Sequence, residues 1–458
     1  MRCEGAAERP NGWRGSNVSG GWVRFKLRKR AGDVDRAVRW IVRHANDHIP
    51  FYARTFARAG VQIDAIRGAA DLPGLPVVRR DDLLTAGTQG FLRAGADVRA
   101  LVCKHTTGTT GTPVSVYMTR TEALFRTLSL LDAYRRNVRI PPAFTLVDVG
   151  PERKDHATRS TQRVGPVRIV RLFRSLPVAE HVALLRRTRP TLIEGRPSML
   201  WQVARALEAE GVTAIRPCLV ISYAEVLYPH VRELLERVFS CRVVDYYNCE
   251  EAGNLAWECP DRPGIMHPNP ATVCLEVVGP DGRAARCGVE GSVVITNLFN
   301  ATMPFVRYAM GDRAMLVEPD HCSCGFRGAA MRLVGGRDED FFVMPDGREI
   351  SPRVIYDVVN TALPSGGIGD VLAQAIRTFQ IVQEECDRIV VRVVPGPQYS
   401  DDLWRKLPDS IRALHPAVRV EVTRVDALES ESGGKFRQVT SRVRSSWHQS
   451  GSDRAASA

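Results

Sequence analysis

Thr106-Thr107-Gly108-Thr109-Thr110-Gly111-Thr112-Pro113 combines two features that suit a loop for binding polyphosphate. Gly108 and Gly111 permit tight backbone conformations that a Cβ would block. Main-chain N–H groups can then close on an anion. The hydroxyls of Thr106, Thr107, Thr109 and Thr110 add donors. No Gly-Lys-[Ser/Thr] follows, so this is not a Walker A loop. A Thr-rich hairpin turn is the plain alternative.

A second constellation suits a metal. Cys322-Ser323-Cys324-Gly325 is a tight Cys-x-Cys turn, and Cys259 and His267 lie in a turn-rich stretch with prolines at 260, 263, 268 and 270. Two sorts of borderline-soft ligand, thiolate and imidazole, in a set of four suit tetrahedral Zn²⁺. The spacing is not that of a zinc finger, and unrelated thiols beside a surface histidine are the other reading. With four protein ligands such a site would be closed and structural. Cys103, Cys218 and Cys241 read as core or incidental thiols.

These residues need a scaffold, and the hydrophobic pattern outlines one. Val34, Val38, Ile41 and Ala45 recur at helical spacing on a segment that runs to Pro50. Leu146–Val149, Leu192–Glu194, Cys218–Ser222, Val243–Tyr247 and Val293–Thr296 read as strands. Between them, Val178–Arg187, Met199–Ala209 and Tyr228–Phe239 read as helices. The alternation predicts an α/β protein with a layered body. New strands such as Arg388–Val394 belong to a second unit. Residues 1–33 read as a flexible leader, rich in Gly and Arg, and 446–458 as a disordered tail.

The bulk numbers exclude more than they assign. A chain of 458 residues is long for one domain. The balance of 63 basic against 51 acidic residues leaves +12. Much of that excess is scattered arginine, and no nucleic-acid motif accompanies it, so a nucleic-acid partner is not expected. No apolar run approaches the roughly 18 residues a membrane helix needs, and no secretory signal is evident. Eleven cysteines, an odd number in a large chain, argue against a secreted disulfide framework. A cytoplasmic protein is the expectation.

The Thr/Gly loop also has ordered companions. His48-Ile49-Pro50-Phe51-Tyr52 and Leu75-Pro76-Val77 precede it. Glu194-Gly195-Arg196-Pro197-Ser198, Ser222-Tyr223-Ala224-Glu225, Tyr247-Asn248-Cys249-Glu250-Glu251-Ala252-Gly253, Tyr308-Ala309-Met310-Gly311-Asp312, Gly336-Arg337-Asp338-Glu339-Asp340 and Gly434-Lys435-Phe436-Arg437 follow it. In this order they resemble the adenylate-forming (acyl-CoA synthetase and luciferase) superfamily, in its phenylacetate–CoA ligase branch with capsule-biosynthesis relatives. The resemblance runs from about residue 34 to 443.

The resemblance implies a large layered N-terminal α/β domain, 34–337, that binds ATP and acid, and a small mobile α+β lid domain, 338–445. It implies attack of a carboxylate on the α-phosphate of ATP, expelling pyrophosphate, a reaction that depends on charge neutralisation, positioning and a metal. Thr106 to Gly111 would hold the β- and γ-phosphates. Glu251 would ligate Mg²⁺, a hard cation that prefers carboxylate oxygen; its neighbour Glu250 offers the same chemistry, and only the family pattern selects Glu251. Tyr247 would flank the nucleotide, or it is a buried strand aromatic. Asp312 would accept from the ribose hydroxyls, or Gly311-Asp312 is a hairpin turn. Arg337 would sit by ribose or phosphate at the domain junction, or form a surface ion pair. Lys435 would neutralise charge building on the α-phosphate and acyl carboxylate, or it is one more solvated lysine. Glu339 would be the hinge pivot. Cys259, His267, Cys322 and Cys324 match a structural zinc site of some relatives.

The implied substrates are ATP with Mg²⁺, a small carboxylic acid, and a thiol or amine acceptor, by default coenzyme A. An amide-forming or nucleotidyl-transferring ligase of the same fold and a non-catalytic binding relative stay open, as does a homodimer. Three features depart from the pattern. Thr112 stands where many such loops carry lysine, and Asn248 stands where glycine is common. The charged stretch Asp148–Arg171, with His156, could face an anionic or polar substrate, but solvated loop residues are the preferred reading.

Overall fold

The computed structural model describes residues 34–105, 114–151, 159–318, 322–337, 340–364, 368, 371–372, 375–428 and 437–443. Helix α1 (Val34–His48) buries Val38, Ile41, Val42 and Ala45, the stripe its periodicity predicts. Pro50 opens α2 (Pro50–Arg58), where its missing N–H costs nothing. Helix α3 (Arg80–Phe91) ends on Phe91, which stacks on Phe51 with ring centroids 4.2 Å apart.

Strands β1 (Val102–His105) and β2 (Ser115–Met118) pair antiparallel, with His105 opposite Ser115. Thr119 then caps α4 (Arg120–Tyr134). Its hydroxyl accepts from the Glu122 amide at 3.2 Å, and the Glu122 carboxylate accepts from the Thr119 amide at 2.6 Å.

The body is one twelve-stranded sheet. Its doubly wound half comprises β3 (Thr145–Val149), β4 (Arg159–Val164), β5 (Val167–Leu172), α5 (Val178–Thr188), β6 (Leu192–Gly195), α6 (Pro197–Ala209), β7 (Leu219–Tyr223), α7 (Pro229–Phe239) and β8 (Val243–Cys249). Strands β5, β3, β6, β7 and β8 run parallel. Leu192, Ile193, Leu219, Val220 and Ile221 are fully buried, as strands covered on both faces require. The sheet continues antiparallel through β9 (Gly253–Glu258), β10 (Met266–Pro268), β11 (Val273–Val278), β12 (Glu290–Asn297), β13 (Tyr308–Val317) and β14 (Ala330–Arg337), in the spatial order β11-β12-β13-β14-β10-β9-β8. All the strands and helices expected over 146–296 are present.

The N-terminal helices are strapped to this sheet by a buried arginine. Arg307 donates to the Leu75 carbonyl at 2.5 Å and the Gly282 carbonyl at 3.0 Å, and pairs with Glu276 at 3.0 Å. The Leu75-Pro76-Val77 segment thereby runs against β13, and Val78 bridges Tyr308.

The second unit holds β15 (Phe342–Val343), β16 (Glu349–Ile350), α8 (Pro352–Ala362), β17 (Ile376–Glu385), β18 (Arg388–Pro395), α9 (Leu407–Arg412), β19 (Arg419–Arg424) and β20 (Val439–Ser441). Its four-stranded sheet has the order β19-β18-β17-β20. The apolar core under the parallel strands continues into this unit through Phe342, Ile355, Tyr356 and Phe379. Tyr356 stacks on Tyr228 at 3.9 Å and hydrogen-bonds His230.

Nine described cysteines carry free thiols. Cys218 is buried in the core. Among the described residues no helix is long and apolar enough to cross a membrane.

Candidate active site

A cavity of about 2050 Å³ opens at the carboxyl ends of the parallel strands and reaches beneath the second unit. Open α/β sheets bind ligands at this edge. Tyr247, Glu251, Asp312 and Arg437 all line it.

Tyr247, at the end of β8, donates its phenol to Asp312 Oδ2 at 2.6 Å. Asp312 does not sit in a hairpin turn. It lies within β13, at a register shift against β14, and Gly311 before it takes a φ of 73°. The irregularity is a bulge, and bulges re-aim a side chain. The same register sets Arg337 opposite Asp312. Residues far apart in the chain thus meet at one sheet edge.

The turn after β8 separates the two adjacent glutamates. Arg126 of α4 pairs with Glu250 at 2.7 Å and donates to the carbonyls of Glu250 and Cys249 at 2.6 and 3.1 Å. Glu250 is thereby committed to an ion pair. Glu251 is buried, and its carbonyl accepts from Asn297 at 3.1 Å. Asn248 accepts from Asn254 at 2.9 Å, and Asn254 accepts from Asn269 at 2.9 Å. A glycine at 248 would forgo that amide chain.

The Thr106–Pro113 loop, with Thr112, lies outside the described residues. The strand leading into it brings Lys104 and His105 to the cavity wall. Lys435, Glu339 and His156 also lie outside the described residues. The chain just after Lys435 is anchored at the cavity. Arg437 pairs with Asp340 at 2.5 Å, and Thr440 donates to the same carboxylate at 3.0 Å. Arg313, next to Asp312, reaches into the second unit as well, pairing with Glu349 at 2.6 Å and covering the Phe341 ring at 3.8 Å.

The reading of Asp148–Arg171 as solvated loop is wrong for its two ends. Asp148 is buried near the end of β3, and Arg171 lines the cavity from β5. Parallel register aligns Arg171 with Asp148, and Asp148 with Glu194 of β6. Arg171 approaches Asp148 to 3.8 Å, and Tyr223 donates to Asp148 at 2.6 Å. Tyr134 of α4 donates to Glu194. Burial raises the Asp148 pKa, and the Tyr223 phenol and then Arg171 hold it back. Burial, and then the charge of Asp148, push Glu194 up to about 8. Burial also lowers the Lys104 pKa. Sequence reasoning missed Glu194, Tyr134 and Tyr223 as site residues. A usable signal was present: a charge closing each of two apolar strand-like runs.

The metal-type cluster assembles at the far end of β9. Cys259, His267, Cys322 and Cys324 place their ligand atoms within 4.8 Å of one another. Cys259 and Cys322 sulfurs are 3.3 Å apart, and Cys324 Sγ lies 3.4 Å from His267 Nε2. Ligand atoms around tetrahedral Zn²⁺ stand about 3.8 Å apart, given Zn–S near 2.3 Å. The amides of Asp261 and Phe326 point at the Cys259 and Cys324 sulfurs at 3.4 Å, which favours thiolate. Phe326 and Trp257 close over the histidine ring. The donor set fits a closed zinc site that would tie β9 and β10 to the β13–β14 connection.

Comparisons with known proteins agree with this geometry. No family model matches the chain. It is 26% identical over 338 residues to a phenylacetate-coenzyme A ligase of Thermus thermophilus, covering 71% of this chain and 73% of the relative. It is 24% identical over 431 residues to the phenylacetate-coenzyme A ligase of Aromatoleum evansii, covering 90% and 94%. Among solved structures, a 2-hydroxyisobutyryl-CoA ligase in the postadenylation state superposes with a TM-score of 0.70 at 18% identity, over 94% of this chain and 93% of that one. The same ligase in the thioesterification state gives 0.57.

Proposed function

Because the chain belongs to the adenylate-forming superfamily, in its phenylacetate–CoA ligase-like branch, and is an AMP-forming ligase, we propose that it activates a small carboxylic acid as an acyl-adenylate and passes the acyl group to coenzyme A. The observation that carries this reading is that Tyr247 donates to Asp312, which stands in register with Arg337, while Tyr247, Asp312 and the buried Glu251 all line one cavity.

In this reading the Tyr247 phenol holds the Asp312 carboxylate, whose oxygens would accept from the ribose hydroxyls. Glu251 would hold Mg²⁺, which supplies charge neutralisation at the phosphates. The Thr106–Gly111 loop binds the β- and γ-phosphates through amides and hydroxyls, more than through charge, since Thr112 carries none. Arg337 serves the ribose or phosphate, and Lys435 neutralises the reacting oxygens. The division falls between 337 and 338, with Glu339 as pivot, and the lid turns between the two half-reactions. Better superposition on a postadenylation structure than on a thioesterification structure supports a lid arrangement suited to the first half-reaction.

Two predictions arise here. Asp312→Ala is expected to weaken ATP binding by about 10- to 100-fold, the worth of charge-assisted hydrogen bonds; a calorimetric Kd within threefold of wild type would contradict the ribose role. Purified protein is expected to carry close to one zinc per chain. Replacing both Cys322 and Cys324 by serine should remove the metal and lower Tm by roughly 5–10 °C. Elemental analysis below about 0.2 zinc per chain, without chelator exposure, would count against the site.

The acceptor is tested by product analysis. With acid, ATP, Mg²⁺ and coenzyme A, mass spectrometry is expected to find the acyl thioester and AMP. Accumulated acyl-adenylate without thioester, converted only when an amine is added, would favour the amide-forming alternative.

A further inference from the structure

The charged row at the β5, β3 and β6 strand ends lines the cavity on the β4 side of the sheet, with five strands between it and β13, where Asp312 lies. If the nucleotide lies against Tyr247 and Asp312, the acid's tail extends across the sheet toward this row, a step that rests on the function proposed above. The surrounding wall is apolar, with Leu130, Leu131, Val164 and Ile169. A pocket of that kind fixes its ligand through a few placed polar groups.

We propose that the acid subsite selects a carboxylic acid whose far end carries an uncharged hydrogen-bonding substituent, a hydroxyl or an aromatic amine, over the same acid ending in hydrocarbon. Arg171 can only donate, and the Asp148 carboxylate accepts. They stand 3.8 Å apart and both line the cavity. A hydroxyl set between them accepts from one and donates to the other. A bare hydrocarbon would cover both and satisfy neither, leaving a desolvated ion pair without new partners. A second carboxylate on the tail would face the Asp148 carboxylate. An ammonium would face Arg171, with Lys104 and Arg196 also lining the cavity.

The row is also too well held to be a by-product of the fold. Asp148 takes a tyrosine hydroxyl from β7, and Glu194 takes one from α4. Arg171 is further steadied by Gln162 of β4 at 3.1 Å. Apolar residues would fill these strand-end positions at lower desolvation cost if packing were their only duty.

The test uses matched pairs of acids, such as phenylacetate with its 4-hydroxy and 4-amino derivatives, and hexanoate with 6-hydroxyhexanoate. Acid-dependent ATP–pyrophosphate exchange is measured on the full-length protein. Sites built to bond a hydroxyl reject its absence strongly, so at least about a hundredfold higher kcat/KM is expected for the polar member of one pair. Arg171→Met is expected to narrow that ratio at least tenfold, and Asp148→Asn is a second variant with the same expectation. Exchange that favours the hydrocarbon member in every pair overturns the subsite and leaves adenylation standing. Exchange with no acid overturns adenylation. Calorimetric binding of the same pairs then decides the subsite alone, and equal affinities within each pair overturn it.

Discussion

Glu251→Gln is expected to lower acid-dependent pyrophosphate exchange about a thousandfold, whereas Glu250→Gln lowers it less than about tenfold. The two side chains are neighbours of the same type, so the contrast isolates position. Glu250 is partly exposed and spends its charge on Arg126. With glutamine in place of Glu250, Arg126 keeps both backbone carbonyls and the turn keeps its shape. Glu251 is buried at the cavity, where a carboxylate is tolerated only with a cation or hydrogen-bond donors. Glutamine in place of Glu251 would keep the volume and lose the charge. The Mg²⁺ dependence of exchange should therefore shift to higher concentration for Glu251→Gln and stay in place for Glu250→Gln. Equal losses in the two variants, with unchanged Mg²⁺ dependence, would contradict the assignment.

Lys435→Ala is expected to reduce exchange by about 100- to 1000-fold while ATP affinity changes by less than about threefold. The distinction matters because a lysine that meets charge only as it builds affects the rate and not the ground state. Its segment leads directly to Arg437, which is fastened to Asp340 close to the proposed hinge. That tie holds Arg437, two residues after Lys435, at the cavity. Single-turnover transfer from preformed acyl-adenylate to coenzyme A should survive the substitution, since that step would use another face of the lid. Exchange within tenfold of wild type would sink the role of Lys435.

Much of the scaffold was legible because parallel strands buried on both faces read as apolar runs. Leu192–Glu194 and Val243–Tyr247 were visible as strands for that reason. The motifs were legible by order along the chain. Other features lay beyond one-dimensional reading. The choice between Glu250 and Glu251 depends on Arg126, which lies on a helix before the doubly wound strands. The Gly311-Asp312 pair looks like a turn, and only pairing with β14 reveals a bulge inside a strand. Arg171, Asp148 and Glu194 each stand in a different strand. Read singly they are surface-like charges, and sheet register alone makes them a row. The metal cluster joins a turn-rich stretch to a Cys-x-Cys turn more than fifty residues later, so residue type suggested it and spacing could not.

Formation of an acyl-adenylate is tested most directly by ATP–pyrophosphate isotope exchange without any acceptor. Across a panel of apolar and polar acids, exchange is expected to depend on an acid and on Mg²⁺, and to proceed in the complete absence of coenzyme A. Exchange that requires coenzyme A, or no exchange with any acid in protein that binds ATP, would contradict it.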